Sequence, residues 1–214
     1  MTPPRLAIFD CDGVIVDSEP VTNALLRDDL ATRGLDLDLD EIHRLFVGGT
    51  MDGVGRKARE MGADIGEDWV AGFYAKMFAR LAEGVPLIDG VVDLIDRLEA
   101  GGTQIWVASN GPYRKMETTL GPHGLWERFA GRILSREDHA PKPAPDMILY
   151  AMRVSGHGPG EPVFIDDSAT GCRAGIAAGV RTIGYAETSP AAALRAAGAE
   201  PMPTMADVAR ALGV

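Results

Sequence analysis

Four short polar segments of the chain carry side chains whose types and spacing could do chemistry together. They are FDCDG at 9–13, ASNG at 108–111, APKPAPD at 140–146 and IDDS at 165–168. Each segment follows a short apolar run, and the ligand site of an open parallel α/β sheet lies at the carboxyl ends of its strands. We therefore expect four carboxylates, a hydroxyl and an ammonium group to meet at one edge of a sheet.

The four carboxylates are those of Asp10, Asp12, Asp166 and Asp167, and they require a counter-charge. Two unit charges ~4 Å apart repel by ~1 kcal/mol in water and by several times that in a partly dry cleft. Aspartates without a histidine or thiolate at matching positions favour a hard, oxygen-seeking ion, Mg²⁺ before Ca²⁺. An EF-hand calcium loop would instead need glycine at its sixth position, whereas Gly13 is the fourth residue from Asp10.

The same set of residues is suited to chemistry at phosphorus. A bound Mg²⁺ would screen the charge of Asp10, so that its carboxylate could act as a nucleophile towards a phosphoryl group. Asp12 would then act as general acid and base. Ser109, the Asn110 backbone N–H and the Lys142 ammonium would donate to the remaining phosphoryl oxygens.

Short apolar runs predict the strands that position these segments. Buried parallel strands are expected at 6–9, 104–108, 131–134 and 163–165, with a weaker one at 181–184. Helical patterns such as VVDLIDRLEAGG lie between them, which predicts an α/β fold with a doubly wound parallel sheet. The last 26 residues, 189–214, are interpreted as two short surface helices around a Pro-rich turn.

About a hundred residues separate the first predicted strand from the second, which is more than one crossover helix needs. Most of them fit helical patterns, at 21–33, 39–46, 52–61 and 68–82. The sequence therefore predicts a core domain at 1–18 and 84–214 with a small helical cap domain inserted at 19–83. Thr50, in the turn FVGGT, and Tyr74 are the candidate cap contacts to a substrate.

Composition excludes several classes of function. The 214 residues carry a formal net charge of -10, and no basic stripe is present to neutralise a nucleic-acid backbone. The N-terminal apolar run is too short for a signal sequence or a membrane span. Two distant cysteines, Cys11 and Cys172, are expected to be free buried thiols. We expect a cytoplasmic protein, without nucleic-acid or membrane partners, that is a monomer.

The four segments resemble, in order, the four motifs of the haloacid dehalogenase-like hydrolases, and the resemblance covers essentially the whole chain. FDCDG is similar to the first motif, ASN to the Ser/Thr motif, PKPAPD to the lysine motif and IDDSATGCRAG to the terminal acidic motif. The resemblance implies that Asp10 forms an aspartyl phosphate and that Asp12 is the acid and base. Ser109 and Lys142 would hold the phosphate.

The resemblance also implies the metal ligands and the reaction. Asp10, the backbone carbonyl of Asp12 and Asp167 would surround Mg²⁺, with Asp166 nearby. The family's dehalogenases lack the second aspartate of the first motif, so Asp12 indicates phosphoryl chemistry. The expected enzyme is a phosphoric monoester hydrolase.

Two further patterns resemble one branch of the family, which contains β-phosphoglucomutase, phosphoglycolate phosphatase and sugar phosphatases with a C1-type cap. These are DSEP at 17–20 and a helical insert directly after the first motif. The 6-phosphogluconate phosphatase-like proteins share FDCDG, SNGPxxKM at 109–116 and DDS. The implied substrate is a small phosphorylated metabolite, namely a sugar phosphate, a sugar-acid phosphate or phosphoglycolate.

Two alternatives remain open at this stage. A hexose phosphomutase of the same branch would hold a second phosphate with a cap arginine and histidine, whose positions here are Met51 and Thr22. That difference favours hydrolysis, although Arg56 and Lys57 could substitute. A non-enzymatic phospho-receiver module would combine similar residues, but receivers are about half this length and need no cap.

Overall fold

In a computed structural model, the protein is described over residues 3–46, 51–158 and 160–214. The helices and strands, in chain order, are β1 (Leu6–Phe9), α1 (Glu19–Ala31), α2 (Leu39–Phe46), α3 (Met51–Glu60), α4 (Trp69–Ala82), α5 (Val91–Ala100), β2 (Gln104–Ser109), α6 (Tyr113–Leu120), α7 (Leu125–Arg128), β3 (Ile133–Ser135), α8 (Asp146–Ser155), β4 (Pro162–Asp166), α9 (Ala169–Ala177), β5 (Arg181–Tyr185), α10 (Ala191–Ala196), β6 (Glu200–Met202) and α11 (Met205–Leu212). Over these residues, no helix has both the length and the apolar content that crossing a bilayer would require.

The strands form one parallel sheet in the order β3-β2-β1-β4-β5-β6. Strand β1 is central, and Leu6 pairs with Gln104 of β2 on one side and with Pro162 of β4 on the other. All four residues of β1 are fully buried, because helices cover both faces of the sheet. The predicted doubly wound α/β fold is confirmed, and the carboxyl ends of all strands lie at the same edge.

The prediction for the C-terminal region was wrong in one element. Its two helices are present as α10 and α11, but the Pro-rich segment between them forms strand β6. Pro201 lies opposite Gly184 of β5. Proline has no N–H to donate to a ladder and is tolerated here because β6 is the edge strand of the sheet.

Both cysteines are buried free thiols, as the sequence predicts. Cys11 lies in the loop after β1 and has no exposed surface. Cys172, on α9, packs with Leu194 and Ala199 in a small apolar cluster. Burial raises the pKa of each thiol, so neither is set up as a nucleophile.

The chain divides into two compact units, a core of Met1–Asp17 with Pro86–Val214 and an inserted unit of Ser18–Val85. The two crossing points lie side by side within the core. Asp17 N donates to Pro86 O at 2.9 Å, and Ile88 N donates to Ile15 O at 3.0 Å. The chain therefore leaves the core and returns to it through one short antiparallel pairing.

The inserted unit is built from α1 to α4 and contains one buried carboxylate. Asp29 of α1 accepts hydrogen bonds from Trp69 Nε1 at 2.6 Å, from Lys76 Nζ at 2.5 Å and from Arg33 Nε at 2.9 Å. Burial alone would raise the pKa of Asp29, but the three donors outweigh it and lower the pKa below 3.8. Because Trp69 and Lys76 belong to α4, the carboxylate links the first helix of the unit to the last.

We predict that Asp29→Asn destabilises the inserted unit by about 2 kcal/mol, since the amide cannot satisfy the three donors. The stabilising contribution of the native carboxylate is fully present above pH 3.8 and is lost as the pH falls through its lowered pKa. The measurement is urea unfolding of both proteins between pH 3 and pH 7.

The neighbouring residue supplies the control. Asp28 forms an exposed ion pair with Arg27 at 2.7 Å, so Asp28→Asn should change stability by less than about 0.5 kcal/mol. Equal effects of the two substitutions would contradict the role given to Asp29.

Candidate active site

The site lies at the carboxyl ends of the three central strands. Asp10 directly follows β1, Ser109 is the last residue of β2, and Asp166 is the last residue of β4. All three are buried, with exposed fractions of 7%, 2% and 0%. Since the three strands are neighbours in one parallel sheet, the predicted residues meet at the predicted edge.

Lys142 supplies the positive charge between two of the carboxylates. It comes from the loop between β3 and α8, and its Nζ lies 2.7 Å from Asp10 Oδ1 and 2.6 Å from Asp166 Oδ2. Burial alone would lower the pKa of this ammonium, but the two carboxylates outweigh burial and raise it. Lys142 is therefore a permanent cation in the floor of the site.

The Asn110 side chain fixes the backbone of Lys142. Lys142 N donates to Asn110 Oδ1 at 2.8 Å, and Asn110 Nδ2 donates to Lys142 O at 3.0 Å. From the sequence, a role is expected only for the Asn110 backbone N–H. The structure adds that the side chain joins the loop after β2 to the loop that carries Lys142.

Ser168 and the start of α9 orient Asp166. Asp166 Oδ1 accepts from Ser168 N at 2.9 Å and from Ser168 Oγ at 2.7 Å. Ser168 is also the N-cap of α9, since its Oγ accepts from Gly171 N at 2.9 Å. A Cβ at position 171 would overlap the Asp166 carboxylate, so the helix can begin this close only with glycine there.

Asp167 completes a group of three acids. One carboxylate oxygen each of Asp10, Asp166 and Asp167 lies within 4.8 Å of the others. Gly13 makes room for this group, because it has φ of 76° and a Cβ on it would collide with the Asp167 carboxylate. The FDCDG glycine is thus needed both for its backbone conformation and for the space beside Asp167.

This group fits a hard divalent cation. Burial, partly opposed by Lys142, raises the pKa of Asp10 to about 7, so its charged form lacks sufficient stabilisation from the protein. Within the described residues, buried Asp10 Oδ1 also accepts no well-aligned hydrogen bond, although Lys142 Nζ is close. Three clustered carboxylates of this kind are the donor set that Mg²⁺ prefers.

Asp12 is paired with a second lysine of the site. Its carboxylate Oδ1 lies 2.8 Å from Nζ of Lys115, a residue of α6. Burial opposes the charge on Lys115, but Asp12 outweighs it and the pKa of the ammonium is raised. Lys115 was not predicted as a site residue, because it lies on a helix rather than at a strand end. The available signal was its place in SNGPYRKM, the segment that follows β2.

The two candidate substrate contacts of the inserted unit are not tested by this geometry. Thr50 lies outside the described residues. Tyr74 is half-buried on α4, and its ring centroid is 6.4 Å from that of Phe78. A substrate contact of either residue stays a prediction.

We predict that Mg²⁺ raises the melting temperature of the wild-type protein and that Asp167→Asn removes most of this shift. An ion that binds only the folded state stabilises it by about 2.7 kcal/mol at 100 times its dissociation constant. The variant loses one of the three clustered carboxylates. The measurements are thermal unfolding with and without Mg²⁺ and calorimetric titration of the ion.

Asp93→Asn is the matched control, because Asp93 is exposed on α5 and pairs with Arg97 at 2.8 Å. It should keep the full shift. Unchanged Mg²⁺ affinity in Asp167→Asn would exclude the three-aspartate site.

The chain is similar in sequence to two curated phosphatases. The chain is 27% identical over 175 residues to 6-phosphogluconate phosphatase of Escherichia coli K12, covering 80% of this chain and 78% of that protein. It is 30% identical over 199 residues to phosphoglycolate phosphatase 1 of Pseudomonas aeruginosa PAO1, covering 88% of this chain and 73% of the relative.

A solved structure shares the whole fold. The crystal structure of a HAD family hydrolase from Deinococcus radiodurans R1, with bound phosphate and sodium, superposes with a TM-score of 0.87 at 31% identity. The similarity covers 100% of this chain and 96% of that one. The model of the haloacid dehalogenase-like hydrolase family matches residues 4–179. The chain belongs to the haloacid dehalogenase-like hydrolases.

Proposed function

We propose that this hydrolase is a Mg²⁺-dependent phosphatase that cleaves a small phosphorylated metabolite through an aspartyl phosphate. The observation that carries the proposal is the position of Asp10. Its buried carboxylate lies against the Lys142 ammonium and within the group of three acids suited to a divalent cation. A nucleophile for a phosphoryl group needs such a surrounding, because the incoming charge must be balanced by fixed cations.

In the first half-reaction, an Asp10 carboxylate oxygen attacks phosphorus. The bond from phosphorus to the leaving oxygen breaks, and Asp12 in its acid form gives its proton to that oxygen. In the second half, Asp12 takes a proton from water, whose oxygen attacks the aspartyl phosphate. Inorganic phosphate leaves, and Asp10 and Asp12 return to their starting states.

The remaining residues bind and orient the phosphoryl group. Ser109 Oγ–H, Asn110 N–H and Lys142 Nζ–H would donate to its oxygens. Asp10 and Asp167 with the Asp12 carbonyl would hold Mg²⁺, and Asp166 would lie beside them. When bound, the ion neutralises phosphoryl charge and lowers the barrier to attack by an anion.

The substrate class rests on the relatives and on the inserted unit. The two relatives compared above are named for 6-phosphogluconate and phosphoglycolate, both small phosphate monoesters of hydroxy acids. We propose the same class here, namely a sugar phosphate, a sugar-acid phosphate or phosphoglycolate. The inserted unit would act as a cap, with Thr50 and Tyr74 as contacts. A cytoplasmic monomer stays a prediction.

We predict that Asp10→Asn lowers phosphatase activity by on the order of 10³-fold or more, because the amide has nearly the same shape but is not a nucleophile. Phosphate release is measured with Mg²⁺ on p-nitrophenyl phosphate and on a panel of phosphorylated sugars and sugar acids. Asp93→Asn serves as the control, and unfolding confirms that each variant is folded.

Activity of Asp10→Asn within a few-fold of wild type would remove Asp10 from the nucleophilic role. A folded wild type that is inert on the whole panel would refute the phosphatase. Conversion of β-glucose 1-phosphate to glucose 6-phosphate, with a trace of bisphosphate and faster than phosphate release, would identify a phosphomutase instead.

A further inference from the structure

We infer that Lys115 is a positioning residue that holds Asp12 in the orientation required for proton transfer to the leaving group. The inference deepens the proposed function and rests on it, since it assigns Lys115 a part in the step that Asp12 performs. The inference is based on the ion pair between Lys115 Nζ and Asp12 Oδ1, which are 2.8 Å apart.

The ion pair is largely enclosed by protein. The side chains of Lys115 and Asp12 are 19% and 25% exposed. An ion pair between fully solvated side chains contributes little, because water competes for both partners. A pair with this degree of burial restricts the carboxylate more strongly, since few solvent donors can replace the ammonium.

The backbone of Lys115 is itself fixed at both sides. At the start of α6, Tyr113 N donates to Glu137 Oε2 and Tyr113 Oη donates to Asp138 Oδ2, each at 2.8 Å. On the other side of Lys115, the side chain of Met116 is fully buried in the core. Helix α6 can therefore present the ammonium to Asp12 from a constant position.

The second carboxylate oxygen of Asp12 lies close to Gly111, the residue two positions after Ser109. A Cβ built on Gly111 would be 3.7 Å from Asp12 Oδ2 and 3.2 Å from Ser109 Oγ, so both atoms border the same glycine. The same Cβ would be 3.7 Å from Cδ of Lys115. Lys115 thus holds Oδ1, and the ion pair lies next to the glycine that Ser109 Oγ also borders.

Lys142 does not perform this task. Its Nζ lies between Asp10 and Asp166, at 2.7 Å and 2.6 Å. The two lysines therefore have different carboxylate partners. Lys142 contacts the nucleophile Asp10 and Asp166, whereas Lys115 contacts Asp12, the general acid and base.

The test uses leaving groups that differ in their need for a proton. p-Nitrophenolate leaves readily as an anion, whereas phenolate is more basic and gains more from protonation. We expect Lys115→Met to lower kcat/KM for phenyl phosphate about tenfold more than kcat/KM for p-nitrophenyl phosphate. This ratio reports steps up to formation of the aspartyl phosphate, so slow hydrolysis of that intermediate does not obscure it.

Three further variants make the test specific. Lys115→Arg should restore part of the loss, because it keeps the cation. Adding Lys115→Met to Asp12→Asn should change kcat/KM little, because the two residues act in the same step. Arg114→Met removes an exposed charge from the same helix turn and should leave the ratio of the two substrates unchanged.

The outcomes separate this inference from the proposed function. Equal proportional losses on both substrates, or additive effects in the double variant, would overturn the role of Lys115 while leaving the phosphatase intact. A folded wild type inactive on both substrates would overturn the proposed function and this inference with it. If Lys115→Met does not fold, Lys115→Gln carries the same comparison.

Discussion

Electrostatic repulsion among four carboxylates is the constraint on which the site depends. At an effective dielectric constant near 20, two such charges 4 Å apart repel by about 4 kcal/mol. At this edge, the ion pairs between described residues join Lys142 to Asp10 and Asp166, and Lys115 to Asp12. Two cations do not match four ionised acids, and a divalent cation would reduce the remaining repulsion.

The fold meets this constraint by fixing the backbone and the carboxylates of the site on strand ends and capped loops. Asp10 and Asp166 stand at the ends of adjacent central strands, so the sheet register sets the distance between them. Ser168 holds Asp166 while capping α9, and the Asn110 amide holds the backbone of Lys142. Asp166 and the backbone of Lys142 are therefore each held by hydrogen bonds from a neighbouring loop. Such placement lowers the reorganisation needed when charge moves during a reaction.

Much of this arrangement could be predicted from the sequence, and the exceptions have physical reasons. The central strands were predictable because strands buried on both faces are continuous apolar runs bounded by polar turns. Strand β6 was missed because Pro201 argues against a strand, and only its edge position makes the proline acceptable. Lys115 was missed because its partner is set by how α6 packs, which no local pattern encodes. The side-chain role of Asn110 depends likewise on a contact with a residue 32 positions away.

The pairing between residues 15–17 and 86–88 means that the two ends of the inserted unit are joined to neighbouring points of the core. The insert is therefore a long loop whose two ends are adjacent in the core, and it does not interrupt the sheet. The entropic cost of closing such a loop grows only with the logarithm of its length, by about 0.6 kcal/mol for each doubling. Evolution can therefore lengthen, shorten or exchange the insert at little cost to the folding of the core. The acids and lysines at the carboxyl edge of the sheet would keep their positions through such changes.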